Sequence, residues 1–446
     1  MKRYSIIWVC MLVLSVGCQK QDVPLAQDWS VPGKVTDTMD SLTGGILLYS
    51  WHNNVIALQG LNDDSAKVFL FNSSNNSWIQ SSLSGTPRGY QWNWPAFDKN
   101  SDRVFFEQGY MENNRLKMSV LVGRLTTEAN LTLVDTAENK WESDKDAFFG
   151  KTASNVQLND LTGKRDWPEL GIGFINGIDM YIPYCLNGHT VISRAAWDGP
   201  YSDGVFHTSD SGKTWRIEKI LNIHAGGPSI CKSSDSYYYF AINPTNSQLL
   251  FSRKVVATDG WTSPEPVTRT LGGYYIAVPQ DDVVHLCWQD RRHENHRLNL
   301  EYPNRGNFEV AYCQRKDSDS EWSRDIILSK GLLYSYAPSM SVAGDKIVVA
   351  WAGVQTAKDW HTDFDPNDIY YITSNDGGKT WAKPLRVTDN IKAGITAGDP
   401  RVMLLNGVIH LFYIQGKMNL KELSPGLTKL NQPPWPIYYT QRPFPN

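Results

Sequence analysis

Thr208–Trp215 reads TSDSGKTW, and Ser374–Trp381 reads SNDGGKTW. The first is preceded by GVFH and followed by RIEKI; the second is preceded by DIYYIT and followed, after AKP, by LRVTD. A short polar phrase between two runs of strand character is a hairpin turn. The carboxylates of Asp210 and Asp376 can accept hydrogen bonds from N–H groups of their own turns. Gly212 and Gly378 allow the positive φ that such a turn requires. Trp215 and Trp381 each offer a large apolar ring to a core. The phrase therefore marks one fixed place in a repeated unit.

The rest of that unit can be read outward from the turn. PSICKSSDSYYYFAI begins at Pro228, YYIAVPQDDVVHLCWQ at Tyr274, PSMSVAGDKIVVAWAG at Pro338 and PRVMLLNGVIHLFYIQG at Pro400. Each is a strand, a tight turn and a second strand. The middle two continue into a third strand, FEVAYCQR from Phe308 or DIYYITS from Asp368. A tryptophan-bearing turn, DSDSEW or SNDGGKTW, then leads to a fourth strand, DIILS or LRVTD. VFLFNSSNNSW (Val68–Trp78) reads as an earlier third strand and turn. No segment shows sustained helical periodicity. Four strands recurring roughly every 50–60 residues are the signature of propeller blades. The expected fold is all-β, a six-bladed or seven-bladed β-propeller of four-stranded antiparallel blades. The last unit, Arg401–Leu423, has three strands of its own, so an N-terminal strand is expected to complete it and close the ring. The expected divisions are 1–17 leader, 18–42 tether and first strand, 43–430 propeller and 431–446 C-terminal tail.

Composition agrees. The 446 residues include 17 Trp, 21 Tyr, 15 Phe and 34 Gly, with 20% charged residues, a mixture that favours strands and turns. A net charge of −3 without a Lys/Arg run leaves no footprint for nucleic acid. Lys2 and Arg3 precede the apolar run Ile6–Val16, too short to span a bilayer and suited to a signal peptide. It ends in LSVGC, which resembles the bacterial lipobox, with Ser15 where Leu is usual. That resemblance implies lipidation at Cys18, a membrane partner through the lipid anchor, and a place in the bacterial cell envelope at the outer membrane. Gln19–Pro32 would be a polar tether. Cys185, Cys231, Cys287 and Cys313 show no zinc spacing. Cys287 and Cys313 lie on neighbouring expected strands and either pair or stay as buried thiols.

The pattern [ST]-x-D-x-G-x-T-W resembles the Asp box, or BNR repeat, of the sialidase superfamily. The repeat grammar extends from about Thr43 to Leu423, and the sharp motif occurs at two places. The resemblance implies a sialidase-like propeller in which Asp210, Gly212, Trp215, Asp376, Gly378 and Trp381 are structural and face away from the site. It also implies a carbohydrate-active protein with an extracellular glycan as partner. Sialidases of that family use an arginine triad, an Asp acid/base and a Tyr nucleophile. This chain has no F/Y-R-I-P phrase for the first arginine; Arg88 in TPRGYQW does not match, whereas Arg401 in GDPRVM suits a late one.

The site is expected on the opposite face, in loops between second and third strands and at the starts of first strands. The loop Gln289–Asn307 carries Asp290, Arg291, Arg292 and His293, with guanidinium forks suited to carboxylate or sulfate. Its WQDRR phrase also resembles a recurrent blade phrase, which would make Asp290 and Arg291 architectural. A second loop carries Trp360, His361, Asp363, Asp365 and Asp368; the aromatic suits a pyranose ring, and the carboxylates are a weak match to a Ca²⁺ loop, so no metal is assigned. A third carries His189, Arg194, Trp197, Asp198 and Tyr201. First-strand starts add His224, Tyr274, Tyr275, Tyr336, Asp399 and Arg401. The candidate catalytic residues are His361, Arg401, Tyr336 and His189. The candidate substrate-binding residues are Arg291, Arg292, His293, Trp360, Arg194, Trp197 and Tyr275. The expected activities are glycoside hydrolysis or elimination on a uronic-acid glycan, by a cofactor-free monomer; the alternative is a non-catalytic propeller that binds glycan or protein.

Overall fold

The computed structural model describes residues 23–35, 46–59, 66–72, 77–83, 96–98, 103–112, 115–125, 131–137, 168–170, 174–176, 179–186, 203–209, 216–221, 226–243, 246, 248–258, 260–268, 271–292, 308–355, 367–417 and 436–445. They form strands in seven antiparallel sheets. A short first strand, β1 (Gly33–Lys34), belongs to the last of them. Sheet one is β2 (Ile46–Trp51), β3 (Asn54–Gln59), β4 (Ala66–Asn72) and β5 (Ser77–Leu83). Sheet two is β6 (Ala96–Asp98), β7 (Arg103–Glu112), β8 (Arg115–Leu125) and β9 (Leu131–Ala137). Sheet three is β10 (Pro168–Leu170), β12 (Asp179–Leu186), β13 (Asp203–Thr208) and β14 (Arg216–Leu221), with β11 (Phe174–Asn176) also on β12. Sheet four is β15 (Gly226–Lys232), β16 (Ser236–Asn243), β17 (Gln248–Val255) and β18 (Glu265–Thr268). Sheet five is β19 (Leu271–Gln280), β20 (Val283–Asp290), β21 (Glu309–Lys316) and β22 (Ile326–Ile327). Sheet six is β23 (Tyr334–Ala343), β24 (Lys346–Val354), β25 (Asp368–Ser374) and β26 (Leu385–Arg386). Sheet seven runs β27 (Ile395–Leu405), β28 (Val408–Lys417), β29 (Ile437–Pro443), β1. The architecture is all-β and propeller-like. Each sheet touches the next in chain order, and β27 touches β2 and β3.

Middle strands are buried on both faces, which explains their unbroken apolar runs. In β24, Val349 and Trp351 face Tyr312, Met340 and Tyr370. Val348, Ala350 and Ala352 face Val402, Leu411 and Tyr413. The period of two sends alternate residues into two different cores. The same period settles the cysteines. Cys287 stands opposite Tyr312, and Cys313 opposite Leu286, so the two side chains leave opposite faces of sheet five. Cys231, Cys287 and Cys313 are free, buried thiols.

The 374–381 turn joins β25 to β26. Thr380 donates its N–H to Asp376 Oδ1 at 2.9 Å and its hydroxyl to Oδ2 at 2.6 Å. Ser374 Oγ donates to the same carboxylate at 2.8 Å and accepts the Gly378 N–H at 2.9 Å. These donors, the Thr380 hydroxyl foremost, hold the Asp376 carboxyl down at about 2. Trp381 donates Nε1–H to the Gly378 carbonyl and sets its ring edge-on to Tyr312 of sheet five, centroids 4.9 Å apart. The turn is thereby a seam between two sheets. The 208–215 copy joins β13 to β14, and its residues 210–215 lie outside the described residues.

A second repeat was not read from the sequence. His285 Nδ1 meets Tyr312 Oη at 2.7 Å, and that hydroxyl donates to Gln314. His410 Nδ1 meets Tyr439 Oη at 2.8 Å, and that hydroxyl donates to Gln441. Burial pulls both histidines down to about 4, so they stay neutral inside the core.

The chain ends differ from expectation. The segment 431–446, expected as a tail, supplies β29, whose Tyr439 is buried against Phe412 and Trp78. Val23–Val35, expected as mostly free tether, is laid along sheet edges. Val23 is buried with Tyr312 and Trp351. Ala26 N–H donates to the Arg386 carbonyl, and Arg386 N–H to that of Pro24. Ser30 N–H then reaches Gln441, and Val35 N–H reaches Ile437. Backbone hydrogen bonds and one buried valine outweigh the polar composition that suggested freedom.

Gly378 has φ +87°, and a Cβ there would lie 2.6 Å from Tyr312 Cζ, on a ring that is 1% exposed. Gly378→Ala is expected to destabilise the fold by about 2–4 kcal/mol, read as a lower urea midpoint, because neither the ring nor the backbone has room to yield.

Candidate functional site

The starts of four successive first strands share one device. Pairing with the second strand slips between Gly226 and Ser229, Leu271 and Tyr275, Tyr336 and Ser339, and Gly398 and Arg401. Each slip contains a residue of positive φ: Gly227 (54°), Gly273 (149°), Ala337 (50°) and Asp399 (43°). These are β-bulges, which re-aim neighbouring side chains at the end of a sheet. Glycine takes this conformation freely, whereas Ala337 and Asp399 hold it at a cost of about 1 kcal/mol or more each.

Superposing the four bulges in register shows what is special about the last three sheets. The residue after the bulge is Pro228, Pro338 or Pro400 in three of them and Tyr274 in sheet five. Tyr274 is 58% exposed, among the few large apolar side chains so placed. The residue before the bulge is Gly226, Gly272 or Gly398 in three and Tyr336 in sheet six. A Cβ at Gly398 would come within 3.4 Å of Tyr336 Oη, so the missing side chain gives that phenol its space. Asn367, at the start of β25, donates Nδ2–H to Tyr336 Oη at 3.2 Å and accepts the Ala397 N–H.

Tyr274, Tyr336, Asp399 and Arg401 thus form one electrostatic group drawn from three sheets. Burial raises the Tyr336 hydroxyl well above the ordinary phenol range, and the Asp399 charge adds to it. Desolvation, then the Asp399 charge, raises the Tyr274 hydroxyl, while Arg401 opposes. Arg401 is half-buried and donates Nη1–H to the Pro400 carbonyl at 3.0 Å. The group contains an exposed aromatic face, an exposed carboxylate, a guanidinium and a neutral phenol. It can stack on a sugar ring, accept hydroxyl protons and pair with an anionic substituent.

Other expected residues are placed elsewhere. Tyr275 points between sheets four and five, where its hydroxyl bonds Ser229 Oγ and the Gly227 and Phe240 carbonyls. Arg292 is forked onto Asp290, with Nε–Oδ1 at 2.9 Å and Nη2–Oδ2 at 2.7 Å, and also pairs with Asp325. Trp288 Nε1–H donates to the same fully buried Asp290 carboxylate at 2.7 Å. These bonds raise the Arg292 pKa further, the Asp290 contact first. Arg291 is half-buried beside it. Asp368 is fully buried and takes bonds from Thr388 Oγ1 at 2.8 Å and Asn390 N–H at 2.6 Å, with Arg386 at 3.5 Å. Its oxygens serve the chain's own donors. His189, Arg194, Trp197, Asp198, Tyr201, His224, His293, Trp360, His361, Asp363 and Asp365 lie outside the described residues. Among the described residues, no group of three His, Cys, Asp or Glu side chains is placed to hold a metal ion.

No protein-family model matches this chain, and no curated protein matches it. Among solved structures, it is similar to an ulvan lyase, a polysaccharide lyase bound to -[GlcA(1-4)Rha3S]-, at TM-score 0.47 and 9% identity, covering 88% of this chain and 93% of that one. It is similar to the endosialidase of phage phi92 at TM-score 0.47 and 10% identity, covering 94% and 70%. A sialidase from Streptococcus pneumoniae gives TM-score 0.44 and 10% identity, covering 94% and 71%. At such scores, the fold rests on this chain's own strand pairing.

Two buried carboxylates yield tests. Arg292→Ala strands the Asp290 charge away from water, so unfolding free energy is expected to fall by about 3 kcal/mol in a denaturant titration. Burial pushes Asp368 from 3.8 up to about 6. The folded state then binds the proton more tightly than the unfolded chain, so this group favours folding as pH falls from about 6 towards 4. Compared with Asp368→Asn, the unaltered protein is expected to gain about 2 kcal/mol of relative stability between pH 7 and 4.5. A parallel pH dependence of the two proteins would contradict this.

Proposed function

We propose that this protein is a sialidase-like propeller of the bacterial cell envelope, directed at extracellular glycans that carry acidic groups. The observation that carries the reading is the convergence of Tyr274, Tyr336, Asp399 and Arg401 at the bulged starts of three neighbouring first strands. In this reading, the sheets are the blades of a closed seven-bladed ring, supported by the contact of β27 with β2 and β3 and by the pairing of β1 with β29. The 374–381 and 208–215 turns are Asp boxes on the face opposite the site. Cys18 carries the lipid anchor, supported by the LSVGC phrase.

Tyr274 offers its ring to a pyranose, Arg401 pairs with a carboxylate or sulfate, and Asp399 accepts sugar hydroxyls. Tyr336 acts as a neutral donor. His361, His189, His293, Trp360, Arg194, Trp197 and Arg291 are further candidates by their places in the sequence repeat. For catalysis, the reading is hydrolysis of a glycosidic bond or elimination at a uronic acid, with Tyr336 protonated and suited to donate to a leaving oxygen rather than to act as a phenolate. The raised Tyr336 pKa also favours the second reading, a propeller that holds the glycan without turning it over.

The test is a panel of sialylated, uronic-acid-containing and sulfated glycans, following product release and binding together. Arg401→Ala and Tyr274→Ala are each expected to weaken binding of acidic glycans about tenfold or more with little change in melting temperature. Turnover lost in Tyr336→Phe while binding persists identifies an enzyme; binding without turnover in the unaltered protein identifies a glycan receptor. No response to any acidic glycan overturns the proposal.

A further inference from the structure

We infer that the lipid anchor holds this protein in one orientation: the side bearing the 374–381 turn faces the membrane, and the Tyr274–Asp399–Arg401 side faces away. The inference rests on the lipidation of Cys18 proposed above and adds to it a direction.

The chain arrives on the turn side. Val23 is buried in the cluster that Trp381 packs against. From there the chain runs parallel to β26, with Leu25 bridged to Arg386. Strand β26 leads away from the 374–381 turn, so a parallel segment also begins at the turn end of the sheet. Only Gln19, Lys20, Gln21 and Asp22 separate Cys18 from Val23. Five Cα–Cα steps extend at most about 18 Å. Acyl chains on Cys18 fix that residue at the bilayer surface. Val23, and with it the turn side of sheets five and six, must lie within that reach. A tether running to Pro32 would have left the molecule free to tumble; docking from Val23 onward removes that freedom.

Two exposed apolar side chains mark the two ends. Among the described residues, Leu25, Val31, Val256 and Tyr274 are the large apolar side chains most open to solvent. Leu25 and Val31 lie on the N-terminal strap. Val256 lies in the turn after β17, the place in sheet four that the 374–381 turn holds in sheet six, and its N–H bonds the Asp235 carbonyl of the adjoining turn. Tyr274 is at the other end, within the candidate site. The turn side therefore presents Val256 towards lipid, and the site presents its aromatic face to the outside; Leu25, bridged to Arg386 opposite Tyr370, sits part-way along sheet six.

The orientation can be read with full-length lipidated protein on phosphatidylethanolamine–phosphatidylglycerol vesicles containing a nitroxide-headgroup lipid. A fluorophore is placed through Lys379→Cys in the turn, or through Lys330→Cys between β22 and β23 on the site side; both positions are exposed. Quenching at Lys379→Cys is expected to exceed that at Lys330→Cys several-fold. A twenty-residue Gly/Ser insertion after Asp22, with a root-mean-square reach of about 25 Å, is expected to erase the difference. Equal or reversed quenching on vesicle-bound protein overturns the orientation and leaves lipidation standing. A difference that survives the insertion overturns the short tether as its cause. Protein that stays off the vesicles, or that remains on them as Cys18→Ala, overturns the anchor itself and the orientation with it.

Discussion

The structure depends on strands that are apolar on both faces. β24 shows the constraint most clearly: Val349 and Trp351 require one covering sheet, and Val348 and Ala350 require another. A single sheet of this kind cannot stand alone, and a row of them would leave a bare face at each end. β27 also touches β2 and β3, and β1 from the other terminus pairs with β29 in the last sheet. The termini are consequently part of the architecture. Removing either would expose core, as the burial of Tyr439 and Val23 indicates.

Several polar groups in this core sit where the repeat supplies partners. The 374–381 turn satisfies its own carboxylate and then delivers Trp381 to Tyr312. Tyr312 in turn meets His285 and Gln314, a set repeated as His410, Tyr439 and Gln441. A buried hydroxyl that donates its one proton to an amide oxygen and accepts a hydrogen bond from a neutral imidazole incurs little desolvation penalty. The same logic accounts for Asp290, whose charge is matched by Arg292 and Trp288. The guanidinium of Arg292 thus serves the fold.

Bulges convert this regular scaffold into a site. At the starts of four first strands the backbone passes through positive φ, and two of those positions carry side chains that disfavour it. The strained positions are Ala337, beside the Tyr336 that replaces a glycine in the repeat, and Asp399, whereas the Tyr274 that replaces a proline follows the unstrained Gly273. A scaffold that is self-consistent elsewhere departs from its own rule at the place where an aromatic face, a carboxylate and a guanidinium come together.

The sequence by itself determined the all-β class, the four-strand unit and the position of the tryptophan turn, because a period of two and a turn needing Asp and Gly are local properties. It also placed Tyr274, Tyr336, Asp399 and Arg401 at first-strand starts, since each follows from the phase of the repeat. What it left open was convergence. Arg292 on its loop and Arg401 at a first-strand start look equally suited to an anion, and only the fold brings the Asp290 carboxylate against the first. Cys287 and Cys313 look like neighbours, and only the strand register turns them to opposite faces. The polar segment after Asp22 looks free, and only packing against β26 and β29 fixes it. Each of these depends on partners distant in the chain, and pairings of that kind are decided when sheets meet.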